Sequence, residues 1–326
     1  MFEAKIIADS ICNDHRLTTM QLTHPRIVHS EFNTHCAFAR NASSSRAIPF
    51  KKTVQKVMED PFIPEHWGIN QSGMQANEEL TGIKREKAIA KWLEARDEAV
   101  RIASEMASQK CLICNGEGII ESDCCICEGT GLGLNVHKQI VNRLIEPWSW
   151  ITVCVTGDSH AWSNYFALRC HPDAQPEIQK QAYMAQKEYF TSTPQIIKPG
   201  EWHTPYIRKG EYTDIFNWLG KQIGVNAVSP SLCDAIIQIS VGRCARTSYL
   251  TQEGIRDYNE DINLYNRLRY HVPLHASPFE HVCVAEGDDV RHGKYIGWKA
   301  YRHMLDGEYV TDFKPNHPDL INMEVR

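Results

Sequence analysis

Thr34-His-Cys-Ala-Phe-Ala-Arg-Asn-Ala-Ser-Ser-Ser-Arg-Ala-Ile-Pro49 puts a histidine, two arginines, an asparagine and three serines into one turn-rich stretch, with no acid to cancel the arginines. Guanidinium and hydroxyl donors in that pattern suit an anionic ligand, such as the phosphate of a nucleotide. Pro25 can open a helix at its first position, and Arg26 to Phe38 can continue it. The stretch is therefore expected to leave the end of a rigid element.

Around it lie 326 residues, enough for one large domain or two modest ones with a sizeable core. A hydrophobic content of 42% and a charged content of 23% are ordinary for a globular chain. No apolar run approaches the ~20 residues that span a bilayer. Met1-Phe-Glu-Ala-Lys-Ile-Ile7 lacks the pattern of a secretion signal. A net charge of −5 argues against broad nucleic-acid binding while leaving room for a local basic site. Without a secretion signal, the twelve cysteines point to a reducing, cytoplasmic setting. Those outside Cys111–Cys127 are expected to be mostly small core residues, Cys36 among them.

Arg16 to Thr23 reads as a strand and Pro49 to Glu79 as an ordered loop with short helices. Thr81 to Lys110 is the clearest helix: Ile89, Trp92, Leu93, Ala99, Val100, Ala103 and Met106 recur at helical spacing, interrupted by Arg96. Leu134 to Glu146 reads as a helix stopped by Pro147. Trp148 to Thr156 is β-branched and reads as a strand. Ala174 to Phe190 and Asp261 to Arg269 read as helices, and Ser231 can cap another running through Arg246.

Cys111-Leu-Ile-Cys114-Asn-Gly-Glu-Gly118 and Cys124-Cys-Ile-Cys127-Glu-Gly-Thr-Gly131 share the pattern C-x-x-C-x-G-x-G. Two such knuckles offer four thiolates, Cys111, Cys114, Cys124 and Cys127, suited to a tetrahedral structural Zn²⁺. Redox-active C-x-x-C pairs are the competing reading. Cys125 is left out of the ligand set. Gly129-Thr-Gly131-Leu-Gly133 lacks the preceding strand of a dinucleotide loop. Lying between two helices, residues 111–131 are expected to clip the tip of a helical hairpin. These knuckles resemble those of DnaJ-type chaperones, over this short window only.

The 34–49 stretch resembles the signature of flavin-dependent thymidylate synthases, written R-H-R-x7-S. Here it runs Thr34-His35-Cys36, seven residues, Ser44, and then Arg46. Arg143-Leu-Ile-Glu-Pro147 resembles that family's Arg-x-x-x-Pro block. Asn164-Tyr-Phe-Ala-Leu-Arg169, followed by Asp173 to Ile178, resembles its Asn-x4-Arg block. Arg243-Cys-Ala-Arg-Thr-Ser248 and His275-Ala-Ser-Pro-Phe-Glu-His281 resemble two flavin-contacting blocks. In the family those two precede the signature, whereas here they follow it, so the resemblance implies a circular permutation, tolerable where termini lie close at the surface.

The resemblance implies an α+β fold, a mixed sheet packed with helices, formed by residues 1–110 and 132–326, with 111–131 as a zinc-binding insertion. It implies reductive methylation of dUMP to dTMP, with FAD as cofactor and methylenetetrahydrofolate and NADPH as co-substrates. It also implies a homotetramer with no membrane or direct nucleic-acid partner. Ser44, Ser45, Arg46 and Arg143 would hold the nucleotide, chiefly its phosphate, with Glu31 near the base. Arg169 would contact the pyrimidine and stabilise negative charge on it. His35, Asn164, Ser248, His275, Ser277 and Glu280 would lie around the flavin.

Each residue has a plainer alternative. Ser44 could be a turn serine, Arg143 and Arg169 could pair with surface acids, and His275 could be a loop histidine. Thr34 and Cys36 stand where the family has arginines, Ala42 where it has a glutamate, and Glu31 where it has a glutamine. These changes bear on substrate choice, so hydroxymethylation at C5 or another pyrimidine nucleotide is an alternative. A non-catalytic, zinc-stabilised binding protein is the alternative from another class.

Overall fold

The computed structural model describes residues 1–116, 127, 130–208, 210–222, 231–249 and 257–309. Its centre is a five-stranded sheet. Strands β1 (Glu3–Cys12) and β2 (His15–Pro25) form an antiparallel hairpin, turned at Asn13, whose φ of 52° is left-handed. The chain then makes a 3-10 turn and a short helix α1 (His29–Phe32), and returns as β3 (Ala39–Ala42). The expected helix to Phe38 therefore stops six residues early. Thr34 is the cause: its hydroxyl donates to the Glu31 carbonyl at 2.7 Å and ends the helical ladder.

Helix α2 (Phe50–Glu59) opens the segment expected to be an ordered loop with short helices. Helix α3 (Gly82–Ala107) is the one announced by its apolar stripe. Trp92, Ala99, Val100 and Met106 pack around buried Ala103, Val57, Val141 and Ile145. Arg96, the intruder in that stripe, is held by Asp97 at 2.6 Å. Helix α4 (Lys138–Leu144) starts four residues later than its sequence suggests. Asn135 is left-handed at φ 49°, and residues 133, 135 and 136 donate instead to carbonyls at the end of α3.

Strand β4 (Trp150–Asp158) lies between β3 and β2, giving the order β3-β4-β2-β1-β5, where β5 (Gln195–Ile196) joins β1 in parallel. Helices α5 (Ser159–Arg169) and α6 (Pro176–Thr191) cover one face. There Met20, Leu22, Val153 and Val155 pack with Phe32, Phe38, Trp162 and Tyr165. The alternation along a strand sends the neighbouring residues Thr19 and Thr156 to the other face.

That face carries the C-terminal elements. Strand β6 (Trp202–His203) precedes helices α7 (Glu211–Gln222), α8 (Leu232–Arg246) and α9 (Tyr258–Arg269). Ser231 caps α8 with a full capping box to Asp234, as its sequence suggests. A 3-10 turn at Ser277–Glu280 leads to β7 (Cys283–Ala285), the small hairpin β8 (Arg291–His292) and β9 (Tyr295–Ile296), and β10 (Trp298–Ala300). Strands β10, β7 and β6 form a second antiparallel sheet. Buried polar side chains join the layers. Thr19 and Thr156 meet at 2.6 Å, Thr19 reaches His203 at 2.8 Å, and Thr156 reaches His281 at 2.8 Å.

Cys12, Cys154, Cys244 and Cys283 are core residues as expected. Cys36 is not: it is exposed, in the turn that Thr34 forces after α1. Among the described residues, no helix is long and apolar enough to cross a membrane.

Candidate functional site

The 34–49 segment runs from the turn after α1, through β3 at the sheet edge, into a tight turn at Ser44–Ile48. There the N–H groups of Ala47 and Ile48 both donate to the Ser44 carbonyl. At the segment's start, Arg169 at the C-terminus of α5 bonds to three residues of the α1 region. It donates from Nε to His35 Nε2 at 2.8 Å and from a terminal nitrogen to Thr34 Oγ1 at 3.3 Å, and it forms an ion pair with Glu31. Glu31, His35 and Arg169, singled out separately in the sequence, thus form one cluster.

His35 is 6% exposed. Burial pushes its pKa down to about 4, helped by Arg169 and Arg40. The ring is neutral near pH 7. Because Nε2 accepts from a guanidinium, the ring proton sits on Nδ1. His35 therefore adds hydrogen-bonding capacity to the cluster and no charge, while Glu31 offsets the charge of Arg169.

Asn41 sits in β3, 7% exposed. It donates to the Cys244 carbonyl at 2.7 Å and accepts from Ser248 Oγ at 3.1 Å, while the Ser44 N–H donates to the Ser248 carbonyl at 3.0 Å. Two blocks some two hundred residues apart in sequence are thereby stitched together. The block at His275–His281 comes to the same edge. Lys294 bridges the Phe38 carbonyl at 3.0 Å and Glu280 at 3.1 Å, and Arg302 holds the other Glu280 oxygen at 2.5 Å. Burial opposes ionisation of Glu280, but the two cations outweigh it and its pKa falls. Lys294 and Arg302 belong to no motif in the sequence, and only the fold reveals them.

The remaining residues are open side chains. Arg46, Arg143, Asn164 and Ser277 are exposed, and their side chains make no hydrogen bond or ion pair among the described residues. Neither Arg46 nor Arg143 bonds to the cluster around Arg169. Helix α4, which carries Arg143, is nonetheless tied to the segment: Asn142 Nδ2 donates to the carbonyls of Ser45 at 2.6 Å and Ile48 at 3.0 Å. Ser45 is half-buried. His275 is exposed, and its ring lies against that of His271 at 4.0 Å, tilted by 44°. The guanidiniums of Arg46 and Arg143, without partners among the described residues, suit a phosphate. Neutral His35 and the hydroxyl and amide groups of Ser248, Ser277 and Asn164 suit an uncharged heterocycle.

Beyond the end of α3, the sulfurs of Cys111, Cys114 and Cys127 lie within 4.8 Å of one another, and this buried group could hold a metal ion. The Cys114–Cys127 separation is 3.6 Å, close to the about 3.8 Å of two thiolates on tetrahedral zinc. Asn115 and Gly116 follow Cys114 in left-handed backbone, at φ 52° and 84°, a conformation that glycine adopts freely. Cys124 lies outside the described residues, as do Cys125, Gly118 and Gly129. The group sits beside a two-residue bridge, Lys110 to Leu132, joining the ends of the α3–α4 hairpin.

No protein-family model matches the chain, and no curated protein matches it. Two solved structures of thymidylate synthase X (ThyX) from Helicobacter pylori with FAD and dUMP are similar to part of it. One has 11% identity and a TM-score of 0.35, the other 14% and 0.32; each covers 53% of this chain and 67% of its own.

Proposed function

We propose that this protein is an FAD-dependent enzyme that reductively methylates dUMP to dTMP, taking the carbon from methylenetetrahydrofolate and reducing equivalents from NADPH. The observation that carries this reading is the bonding of Asn41 and Ser44 to the Cys244–Ser248 block. Sequence blocks that the resemblance assigns to one site meet in space, in an order that a circular permutation would produce. The guanidiniums of Arg46 and Arg143, unpaired among the described residues, add to it.

On this reading Ser44, Ser45, Arg46 and Arg143 hold the nucleotide, and Glu31 lies near its base. Arg169 stabilises negative charge on the pyrimidine. His35, Asn164, Ser248, His275, Ser277 and Glu280 surround the flavin, which supplies the redox chemistry when bound. The protein's share of catalysis is then positioning and fixed electrostatics. We assign residues 1–110 and 132–326 to the catalytic domain, and 111–131 to a zinc-binding insertion with Cys124 as fourth ligand. A cytoplasmic homotetramer completes the proposal.

The absorbance spectrum of the purified protein, recorded with and without dUMP, tests it. Flavin bands that shift on adding dUMP are expected. Colourless protein that takes up no FAD overturns the reading. A second reading, hydroxymethylation at C5 or action on another pyrimidine nucleotide, is favoured by the Glu31–Arg169 ion pair, which lowers the net charge beside the base. Product masses from dUMP and dCMP separate the two.

A further inference from the structure

Lys294 stands at the tip of the β8–β9 hairpin, where His292 and Tyr295 pair across the turn. The backbone at that tip is anchored. Tyr295, 1% exposed, donates from its hydroxyl to the Glu280 carbonyl at 3.0 Å. Arg291 donates to the Lys294 carbonyl at 2.6 Å. Gly293 is left-handed at φ 71°, and a Cβ on it would stand 2.3 Å from His303 Nε2. The hairpin is thus seated on Glu280, the residue that the Lys294 ammonium also meets.

That ammonium has partners from two distant parts of the chain. It donates to the Phe38 carbonyl at 3.0 Å and to Glu280 Oε2 at 3.1 Å. A lysine in an exposed, isolated ion pair contributes little. Here the Glu280 side chain is only 11% exposed, and the second acceptor is a main-chain oxygen just before β3. Phe38 is itself fully buried. Its N–H donates to the His35 carbonyl at 3.2 Å, and the His35 ring accepts from Arg169 at 2.8 Å. Bonded contacts therefore run from Arg169 through His35, Phe38 and Lys294 to Glu280. One end is the arginine assigned to the pyrimidine, and the other is the carboxylate assigned to the flavin.

We propose that Lys294 is a positioning residue that couples the nucleotide side of the site to the flavin side, so that each ligand tightens the other. The inference rests on the proposed function for the identity of the two ligands. Lys294 acts through Phe38 and Glu280, fixing the separation of the two walls. Misplacing reacting groups by about 1 Å costs about a hundredfold in rate, so such a link matters in a reaction between two bound molecules.

The dissociation constant of FAD, measured on the full chain by flavin fluorescence without and with saturating dUMP, tests this. In the unsubstituted protein dUMP should tighten FAD by about fivefold or more. Lys294→Met keeps an unbranched side chain but removes both bonds, and should bring that factor below about twofold. Lys294→Arg, which keeps donors for both acceptors, should retain it. A purely structural role would weaken FAD equally with and without dUMP and leave the factor unchanged. An unchanged factor in Lys294→Met overturns the proposal, as does a factor of one in the unsubstituted protein with dUMP bound. A chain that takes up no FAD overturns the proposed activity, and this inference with it.

Discussion

Asn41 uses both ends of its amide to join β3 to the Cys244–Ser248 block. Asn41→Ala leaves the Cys244 carbonyl and the Ser248 hydroxyl without that partner. The expected cost is about 1–3 kcal/mol, read from the urea midpoint. Arg46→Ala separates binding from stability. Its side chain is exposed and has no partner among the described residues, so the midpoint should move by less than about 0.5 kcal/mol. On the proposed function, dUMP affinity should fall tenfold or more in the same variant. Glu31→Gln removes the counter-charge from Arg169, so the dianion should bind severalfold more tightly in a spectroscopic titration. Unchanged affinity would place Arg169 away from the nucleotide. Asn41 and Arg46 stand out in the sequence by residue type, and Glu31 through the resemblance. Their pairing does not, because Glu31 meets Arg169 only through the fold of α1 against α5.

Helices α8 and α9 show what an element needs beyond its own periodicity. A Cβ on Gly242 would stand 2.3 Å from the Asp261 carbonyl oxygen, so the two backbones approach as closely as glycine permits. That approach lets Asp261, fully buried, bind Arg243 at 2.9 Å and Arg246 at 2.6 Å. Both arginines lie in the block that the resemblance places beside the flavin, and their side chains pair with Asp261. Gly242→Ala must push α9 away and loosen those ion pairs. A loss of about 1–3 kcal/mol is expected, read as a lower thermal midpoint. An unchanged midpoint would mean that the helices pack less closely than described. The start of α8 was legible because Ser231 and Asp234 form a local capping box. The α3 stripe was legible because its period runs for many turns. Strand β1 was not read as a strand, since Glu-Ala-Lys-Ile-Ile-Ala-Asp-Ser-Ile-Cys does not alternate cleanly and most of its residues are half-buried. The two- and three-residue strands near the C-terminus are too short to carry a period, and pairing alone defines them.

Across the whole molecule, the central sheet has an apolar face toward α5 and α6 and a face carrying buried polar groups toward the C-terminal elements. His203 is fully buried on the second face, bonded to Thr19 at 2.8 Å and Ser10 at 2.9 Å. Burial pushes its pKa down to about 3, with Asp9 opposing and His281 assisting. His24, beside Arg26 and His29, is likewise pushed down to about 3 by burial and by both neighbours. In the unfolded chain both rings titrate near an ordinary value of about 6.5. Below that pH the unfolded state takes up protons that the folded state refuses. The stability these neutral rings contribute is therefore complete above about pH 6.5 and is lost progressively as pH falls toward about 3. Each ring adds a slope approaching about 1.4 kcal/mol per pH unit within that window. Urea midpoints measured at about pH 7.5, 6 and 5 should fall in that order, and His203→Gln should flatten the profile. The glutamine keeps a polar contact across the layers but cannot titrate, so a profile as steep as that of the unsubstituted protein would assign the acid sensitivity to other groups.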